Sequence, residues 1–299
     1  MANYITAFAN EADYEAAKEN LNYPNVTLID ADGSLIYKKV KPPHDYSKDF
    51  LTMNIATGGD IKFSGSTTAN TLSYSKDNGQ TWATADSATT ISVNVGDKVL
   101  WKGAPTPQTS YPTYGIGKFS GDTDVRYSVE GNAMSLLFGD NFNGQTSLSG
   151  KDYALGYLFS DNTNVTSAEN LSLPATTLAI SCYDSMFQGC TNLTTAPELP
   201  ATTLIDRCYR SMFFGCSSLT TAPELPATTL AGECYGYMFQ GCTNLKLIKA
   251  MFLTTPSVSF TRSWVEGLGT GGTFIKNSEA TWTTTGPNGI PYGWTVQYA

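Results

Sequence analysis

The chain has 299 residues, of which 15% are charged and 12% aromatic, and its 26 acidic and 18 basic side chains give a net charge of -8. This composition predicts a globular protein of one to three domains, and the absence of a Lys/Arg cluster argues against binding to DNA, RNA or anionic membranes. The single histidine, His44, excludes most histidine chemistry.

The first 43 residues are expected to form a small module that docks on another protein. Residues 4–8 read as a strand and residues 11–21 as a helix capped by Asn10. A hairpin is expected from Val26–Ile29 and Leu35–Val40. So small a unit has little to bury, so docking would stabilise it.

The start of the chain does not resemble a secretion signal, and no apolar run approaches the roughly 18 residues of a membrane helix. We therefore expect the protein to be made and folded in a cytoplasm, without insertion into a membrane. Thiols in that compartment are expected to stay reduced.

Residues 44–131 alternate apolar and polar side chains, which predicts an antiparallel β-sandwich of immunoglobulin-like type. The alternation is clear at Ile91–Val95, and further strands are expected at Tyr114–Phe119 and Val125–Val129. Two hairpin turns are predicted, one at Asp77–Gly79 and one at Gly96–Asp97.

An internal repeat with a period of 26 residues dominates residues 132–299. The sequence Leu-Pro-Ala-Thr-Thr-Leu starts at Leu173, Leu199 and Leu225, and all six cysteines keep the same register in the repeats. One column holds Cys182, Cys208 and Cys234; the other holds Cys190, Cys216 and Cys242. The period falls within the range of roughly 20 to 29 residues that is typical of leucine-rich repeats, so we expect a solenoid.

Each repeat is expected to form one coil, with constant residues inside. The i, i+4, i+8 spacing of Cys182, Met186 and Cys190 favours a short helical turn, and Leu193–Ala196 a very short strand. Residues 157–165 match the repeat more loosely, Met134–Phe138 resembles a cap, and the segment after Leu245 is expected to cap the other end.

Positions that differ between the three repeats are expected to face solvent. Four such columns are Ser181/Arg207/Glu233, Asp184/Arg210/Gly236, Ser185/Ser211/Tyr237 and Gln188/Phe214/Gln240. Exposed ion pairs are expected between Asp184 and Arg210 and between Arg207 and Glu233. Asp184, Arg210, Phe214 and Tyr237 are the candidate surface-contact residues, because aromatic and arginine side chains often anchor interfaces.

No motif supports catalysis, a metal site or a cofactor. The cysteines are too far apart within a coil for a zinc knuckle, although stacking in one column could bring Cys182 near Cys208, close to disulfide distance. Ser75–Trp82 matches the Asp-box of sialidase propellers, which is a hairpin brace there. The Asp30–Ser34 segment resembles a calcium loop but has Lys41 at its twelfth position. We therefore expect no enzyme activity.

The repeats, the lead-in Val129–Leu136 and the closing Gly289–Val296 resemble the BspA-type leucine-rich-repeat family of Bacteroides and their phages. Residues 4–39 are similar to short N-terminal modules on virion proteins of crAss-like phages that infect Bacteroides. The resemblance implies a mainly β, multidomain virion protein: a capsid-docking module at 1–43, a β-sandwich at 44–131 and a repeat solenoid at 132–299. The candidate docking residues are Tyr4, Ile5, Phe8, Tyr14 and Leu21.

The expected function is that of a non-enzymatic head fibre or decoration protein, assembled in the host cytoplasm and located on the virion surface. Its expected partners are capsid proteins, further copies of itself in a dimer or trimer, and a glycan or protein of the host surface. Two alternatives stay open: a bacterial cell-surface adhesin of the same repeat family, and a carbohydrate-active enzyme.

Overall fold

A computed structural model describes residues 44–110 and 113–299, together with the backbone of strands β1 (Asn25–Ile29) and β2 (Leu35–Val40). The chain divides into two compact units, Met1–Asp45 and Tyr46–Ala299. In the first unit β1 pairs antiparallel with β2, which confirms the expected hairpin. The other expectations for this unit concern residues outside the described ones. They are the helix, the calcium-like loop and the docking residues Tyr4, Ile5, Phe8, Tyr14 and Leu21.

The second unit is mainly β. Its strands are β3 (Leu51–Thr57), β4 (Gly59–Gly65), β5 (Leu72–Ser75), β6 (Ala83–Ala85), β7 (Ile91–Val93), β8 (Lys98–Lys102), β9 (Gly117–Gly121), β10 (Arg126–Asn132), β11 (Val165–Ser172), β12 (Leu247–Ala250), β13 (Thr273–Lys276) and β14 (Thr295–Tyr298). Short α-helices span Ser135–Phe138 and Val258–Thr261, and 3-10 turns span Tyr46–Lys48 and Gly139–Asn141. No helix in the described ranges is long and apolar enough to cross a membrane.

Two sheets form the N-terminal part of this unit. One has the strand order β11-β10-β3-β8-β5-β6 and the other β7-β4-β9, and all neighbours are antiparallel except β10 and β11. Trp101 of β8 meets Phe119 of β9 edge-on, with ring centroids 4.8 Å apart. Both rings are buried, so the two sheets share one apolar interior.

The two turns expected to form hairpins behave differently. Asp77–Gly79 does lie in a hairpin, because β5 pairs antiparallel with β6. The Asp77 carboxylate accepts hydrogen bonds from the side chain and backbone of Thr81 and from the Ser75 hydroxyl, and these lower the pKa of Asp77 to about 2. The hairpin expected at Gly96–Asp97 is wrong: the turn exists, but β7 pairs with β4 and β8 with β3 and β5, so it crosses between sheets.

A continuous column of phenylalanine rings joins the sheets to the repeats. It runs from Phe119 through Phe159, Phe187, Phe213 and Phe239, with successive centroids 5.3, 5.3, 5.8 and 5.8 Å apart. The parallel pairing of β10 with β11 also crosses this junction. The boundary expected between residues 131 and 132 therefore falls inside one compact unit with one core.

The 26-residue repeats stack through a ladder of backbone hydrogen bonds. In the coil that contains Cys182, alternate amides donate to the next coil; Tyr183 N, for example, donates to Cys208 O at 3.0 Å. The amides between them donate three residues back, as Asp184 N does to Ser181 O. Almost every backbone donor of this segment is thus satisfied within the stack, as a buried backbone requires.

The ladder consists of successive turns, so the expected helical turn at residues 182–190 is wrong. Every fourth residue is left-handed: Ser181, Ser185 and Gly189 have φ values of 54°, 56° and 71°. The i, i+4 spacing that indicates a helix fits this ribbon equally well, because both return to the same face after four residues. Residues 193–196, expected to be a strand, are not assigned as one in this described stretch.

Coil geometry continues past the last identical repeat. Gly241 N donates to Glu266 O at 2.9 Å, and β12, β13 and β14 form a parallel sheet with Leu247 opposite Thr273. The buried ring of Trp264 then packs on Phe239 of the preceding coil. The sequence pattern is lost here because Trp264 stands where the repeats have methionine, although the stacking itself persists.

Candidate functional site

Asp184, one of the four candidate contact residues, is buried rather than exposed. Asp184 is 2% exposed, and Ser181 and Ser185 beside it are also buried. The expectation that the variable positions face solvent is therefore wrong for these three residues, whereas Arg207, in the same column as Ser181, is exposed. Variation between repeats is thus not confined to positions that face solvent.

The two expected ion pairs are present. Arg210 Nη1 lies 3.6 Å from Asp184 Oδ2, and Arg207 Nε lies 3.0 Å from Glu233 Oε2. The Asp184 carboxylate also accepts a hydrogen bond of 2.8 Å from the Ser185 hydroxyl. Burial nevertheless raises the pKa of Asp184, because removal from water disfavours the charge more than Arg210 favours it.

Three arginines from the two coils on either side of Glu233 converge on its carboxylate. Besides Arg207, the side chains of Arg210 and Arg262 each approach a carboxylate oxygen of Glu233 to 3.8 Å. The Tyr237 ring lies in the same cluster: the Arg210 guanidinium is 5.5 Å from its centroid, and a hydrogen bond with Tyr237 raises the pKa of Arg262. Arg210 and Tyr237 are therefore brought together around Glu233, which the sequence indicated only as the partner of Arg207.

Phe214, the fourth candidate, is half-buried on the outside of its coil. Its neighbour Phe213 is fully buried in the ring column. Phe214 thus offers a partly accessible aromatic surface next to Gln188 and Gln240, the equivalent positions of the adjoining coils.

A cleft that the sequence did not indicate lies where the sheets meet the first coil of the stack, residues 153–165. It has a volume of about 470 Å³, and its walls include Tyr114, Lys118, Tyr157, Asp161 and Gln188. Three tyrosine rings are stacked beside it: Tyr114 lies 4.6 Å from Tyr153 and 5.8 Å from Tyr157, both at 14°. Pockets of this size that combine aromatic walls with a few polar groups are typical of ligand sites.

The polar side of the cleft is an ion pair at its rim. Lys118 Nζ lies 3.2 Å from Asp161 Oδ2, and both side chains are well exposed to solvent. The Ser160 hydroxyl donates to the same carboxylate oxygen at 3.2 Å. One signal could have pointed here: residues 161 and 162 are Asp and Asn where the repeats have Gly and Cys.

The cysteine columns hold free, buried thiols. In the second column the thiol donates to the carbonyl of a stacked phenylalanine in the preceding coil; Cys190 Sγ, for example, lies 3.0 Å from Phe159 O. Among the described residues, no group of three His, Cys, Asp or Glu side chains is placed to hold a metal ion.

We expect all six thiols to resist thiol-specific reagents until the protein unfolds. Burial raises the pKa of Cys182, Cys190, Cys234 and Cys242 to about 12, so almost no reactive thiolate exists near pH 8. Titration with Ellman's reagent should detect no reactive thiol in the native protein and six thiols per chain in guanidinium chloride. A native cysteine that reacts within minutes would contradict this packing.

Replacing Arg210 by glutamine is expected to destabilise the protein by about 1 to 2 kcal/mol at neutral pH, because Asp184 would keep a buried charge with no partner. The pKa of Asp184 should rise further in this variant. The loss should therefore shrink as the pH falls through that pKa, since a protonated carboxyl needs no counter-charge.

Urea unfolding at pH 7 and pH 4 measures this effect. The matched control is Asp184→Asn combined with Arg210→Gln, which should be more stable at pH 7 than Arg210→Gln alone. Equal loss at both pH values would show that Arg210 acts through packing and not through the charge of Asp184.

Comparison with protein-family models, with curated proteins and with solved structures gives no match to this chain.

Proposed function

We propose that this chain is a non-enzymatic phage virion protein, a head fibre or capsid decoration, that displays a leucine-rich-repeat solenoid for adhesion to the host surface. The observation that carries the display role is the contrast between inside and outside of the stacked repeats. Cysteine, methionine and phenylalanine columns repeat identically and are buried, whereas the outward cluster of Arg207, Arg210 and Tyr237 changes from coil to coil.

This arrangement separates stability from recognition. Each coil bonds to its neighbours through backbone groups and constant core side chains, so outward residues can change without disturbing the stack. Arg262 and Tyr237 then supply arginine and aromatic side chains, the types that are enriched in protein interfaces.

The virion assignment is supported by the resemblance of residues 4–39 to modules of crAss-like phage proteins. In this proposal residues 1–43 dock on the capsid through Tyr4, Ile5, Phe8, Tyr14 and Leu21, and the chain assembles as a dimer or trimer. Capsid proteins and a host-surface glycan or protein are its partners.

Mass spectrometry of purified phage particles tests the location. The chain should be present in particles, and a mutant phage that lacks residues 1–43 of this protein should produce particles without it. A Tyr237→Ser variant serves as control and should be incorporated normally, because it alters only the outward face of a coil.

Two results would contradict the proposal. Normal incorporation of the deletion variant would place the docking surface elsewhere in the chain. Absence from particles, together with display on uninfected bacterial cells, would favour the alternative of a cell-surface adhesin.

Adhesion is tested separately with the purified full-length chain. Fluorescently labelled protein should bind to host cells and not to cells stripped of their surface polymers. Failure to bind any host surface would refute the adhesive role even if the chain is a virion component.

A further inference from the structure

We infer that the cleft between Tyr114, Tyr157 and Asp161 is a saccharide-binding site, an inference that rests on the adhesive function proposed above and names its ligand class. The cleft joins two surfaces that are distant in sequence: Tyr114 and Lys118 come from the sheets, and Tyr157 and Asp161 from the first coil. It is therefore a preformed feature of the junction, held by the ring column beneath it.

The aromatic wall fits the apolar face of a sugar ring. Tyr157 is half-buried at the cleft, and its orientation is supported by Tyr114, which stacks on it and also on Tyr153. Tyrosine provides a flat apolar surface together with a hydroxyl group, and few rotatable bonds must be ordered on binding. Rings of this kind bind ligands that have one apolar face and a polar edge.

The polar groups match the hydroxyl groups of a neutral saccharide. Asp161 and Gln188 supply acceptors, while Lys118 and Gln188 supply donors. Because Lys118 and Asp161 form an ion pair, their charges largely cancel across 3.2 Å. A ligand with many alternating donors and acceptors satisfies such a site better than a phosphate or an ammonium group would.

Left-handed residues recur at every fourth position of this coil, as they do in the coils that follow. Tyr153, Tyr157 and Asp161 have φ values of 57°, 62° and 54°, and the next coil has Ser181, Ser185 and Gly189 at these positions. Glycine adopts the left-handed region without steric cost, whereas a residue with a side chain does not. The side chain of Asp161, and not the backbone conformation, therefore distinguishes this coil.

The glycine of the next coil leaves room for the Asp161 carboxylate. A side chain at Gly189 would place its Cβ 2.7 Å from Asp161 Oδ1. In the other coils of the described stack, Gly215, Gly241 and Gly267 occupy the position equivalent to Asp161. The carboxylate is therefore an exception to the repeat, and it lies at the rim of the cleft.

The comparison between coils also supplies variants that should fold. Asp161→Gly and Tyr157→Ser introduce the residues that the next coil already has at Gly189 and Ser185, and Asp161→Gly removes a left-handed aspartate. Tyr298→Ser is the control: it makes the same change at an exposed tyrosine of β14, outside the cleft.

Binding of the full-length chain to an array of bacterial capsular and lipopolysaccharide oligosaccharides tests the inference, followed by calorimetric titration of a bound oligosaccharide. We expect the wild type and Tyr298→Ser to bind at least one saccharide with equal affinity. Tyr157→Ser and Asp161→Gly should weaken that binding at least tenfold while both variants remain fully folded at the temperature of the binding assay.

Three outcomes would overturn the inference: no saccharide bound by the wild type, unchanged binding by both cleft variants, or cell binding that survives periodate oxidation of surface sugars but not protease treatment. The last would assign the cleft to a protein ligand. If the chain binds host cells and both cleft variants bind equally well, the adhesive function stands and the saccharide site is refuted. If the wild type binds no host cell, the proposed function itself fails.

Discussion

Replacing Phe213 by alanine is expected to lower the free energy of unfolding by about 3 to 5 kcal/mol. The ring is fully buried in the middle of the column, 5.8 Å from both Phe187 and Phe239. Its loss would leave a cavity that the coils on either side cannot fill without breaking the ladder of backbone hydrogen bonds. Chemical denaturation followed by tryptophan fluorescence measures the change.

The adjacent Phe214 is the matched control for this prediction. It belongs to the same coil and is the same residue type, but it is half-buried on the outside. We expect Phe214→Ala to cost about 1 kcal/mol or less, since little buried area is lost. Similar losses for the two variants would show that the ring column is not the main source of stability.

The second large effect is expected from Asn162→Leu, at about 2 to 4 kcal/mol. The buried Asn162 amide donates to Phe119 O at 2.9 Å and to the Tyr127 hydroxyl at 2.8 Å, and its Oδ1 accepts from Asn164 N at 2.9 Å. Leucine has a similar size but would leave all three partners buried and unsatisfied. Unfolding in denaturant measures the loss in the free energy of unfolding relative to the wild type.

Asn162→Cys is the control, because cysteine occupies this position in the three following coils, as Cys190, Cys216 and Cys242. Cys190 Sγ donates to Phe159 O just as the Asn162 amide donates to Phe119 O, one ring earlier in the column. We expect Asn162→Cys to retain that bond and to lose less stability than Asn162→Leu. If leucine proves as stable as asparagine, the polar contacts at the junction do not contribute to stability.

The stacking of the repeats was predictable because identical residues at a fixed spacing must occupy equivalent environments. Cys182, Met186 and Phe187 recur 26 residues later and are buried, as expected. Their conformation was not predictable from the same pattern. A helix and a ribbon of turns with a left-handed residue at every fourth position share the i, i+4 spacing, and the sequence does not distinguish between them.

The candidate site was predicted only in part. The pairing of Asp184 with Arg210 follows from the register of the repeats, but the burial of Asp184 depends on which side chains of the adjacent coils cover it. The cleft depends on Tyr114 and Tyr157, which are far apart in sequence and meet where Phe119 N donates to Leu158 O at 2.8 Å. No local pattern carries that information.

The ring column has a consequence for how such a protein can change in length. Because each interface between coils uses the same residues, duplication of one 26-residue unit would insert a coil without a new core, and it would extend the stack by roughly 5 Å. The junction that contains Tyr114 and Tyr157 would be unaffected. The length of the stack can therefore change by whole coils while the residues of the junction stay the same.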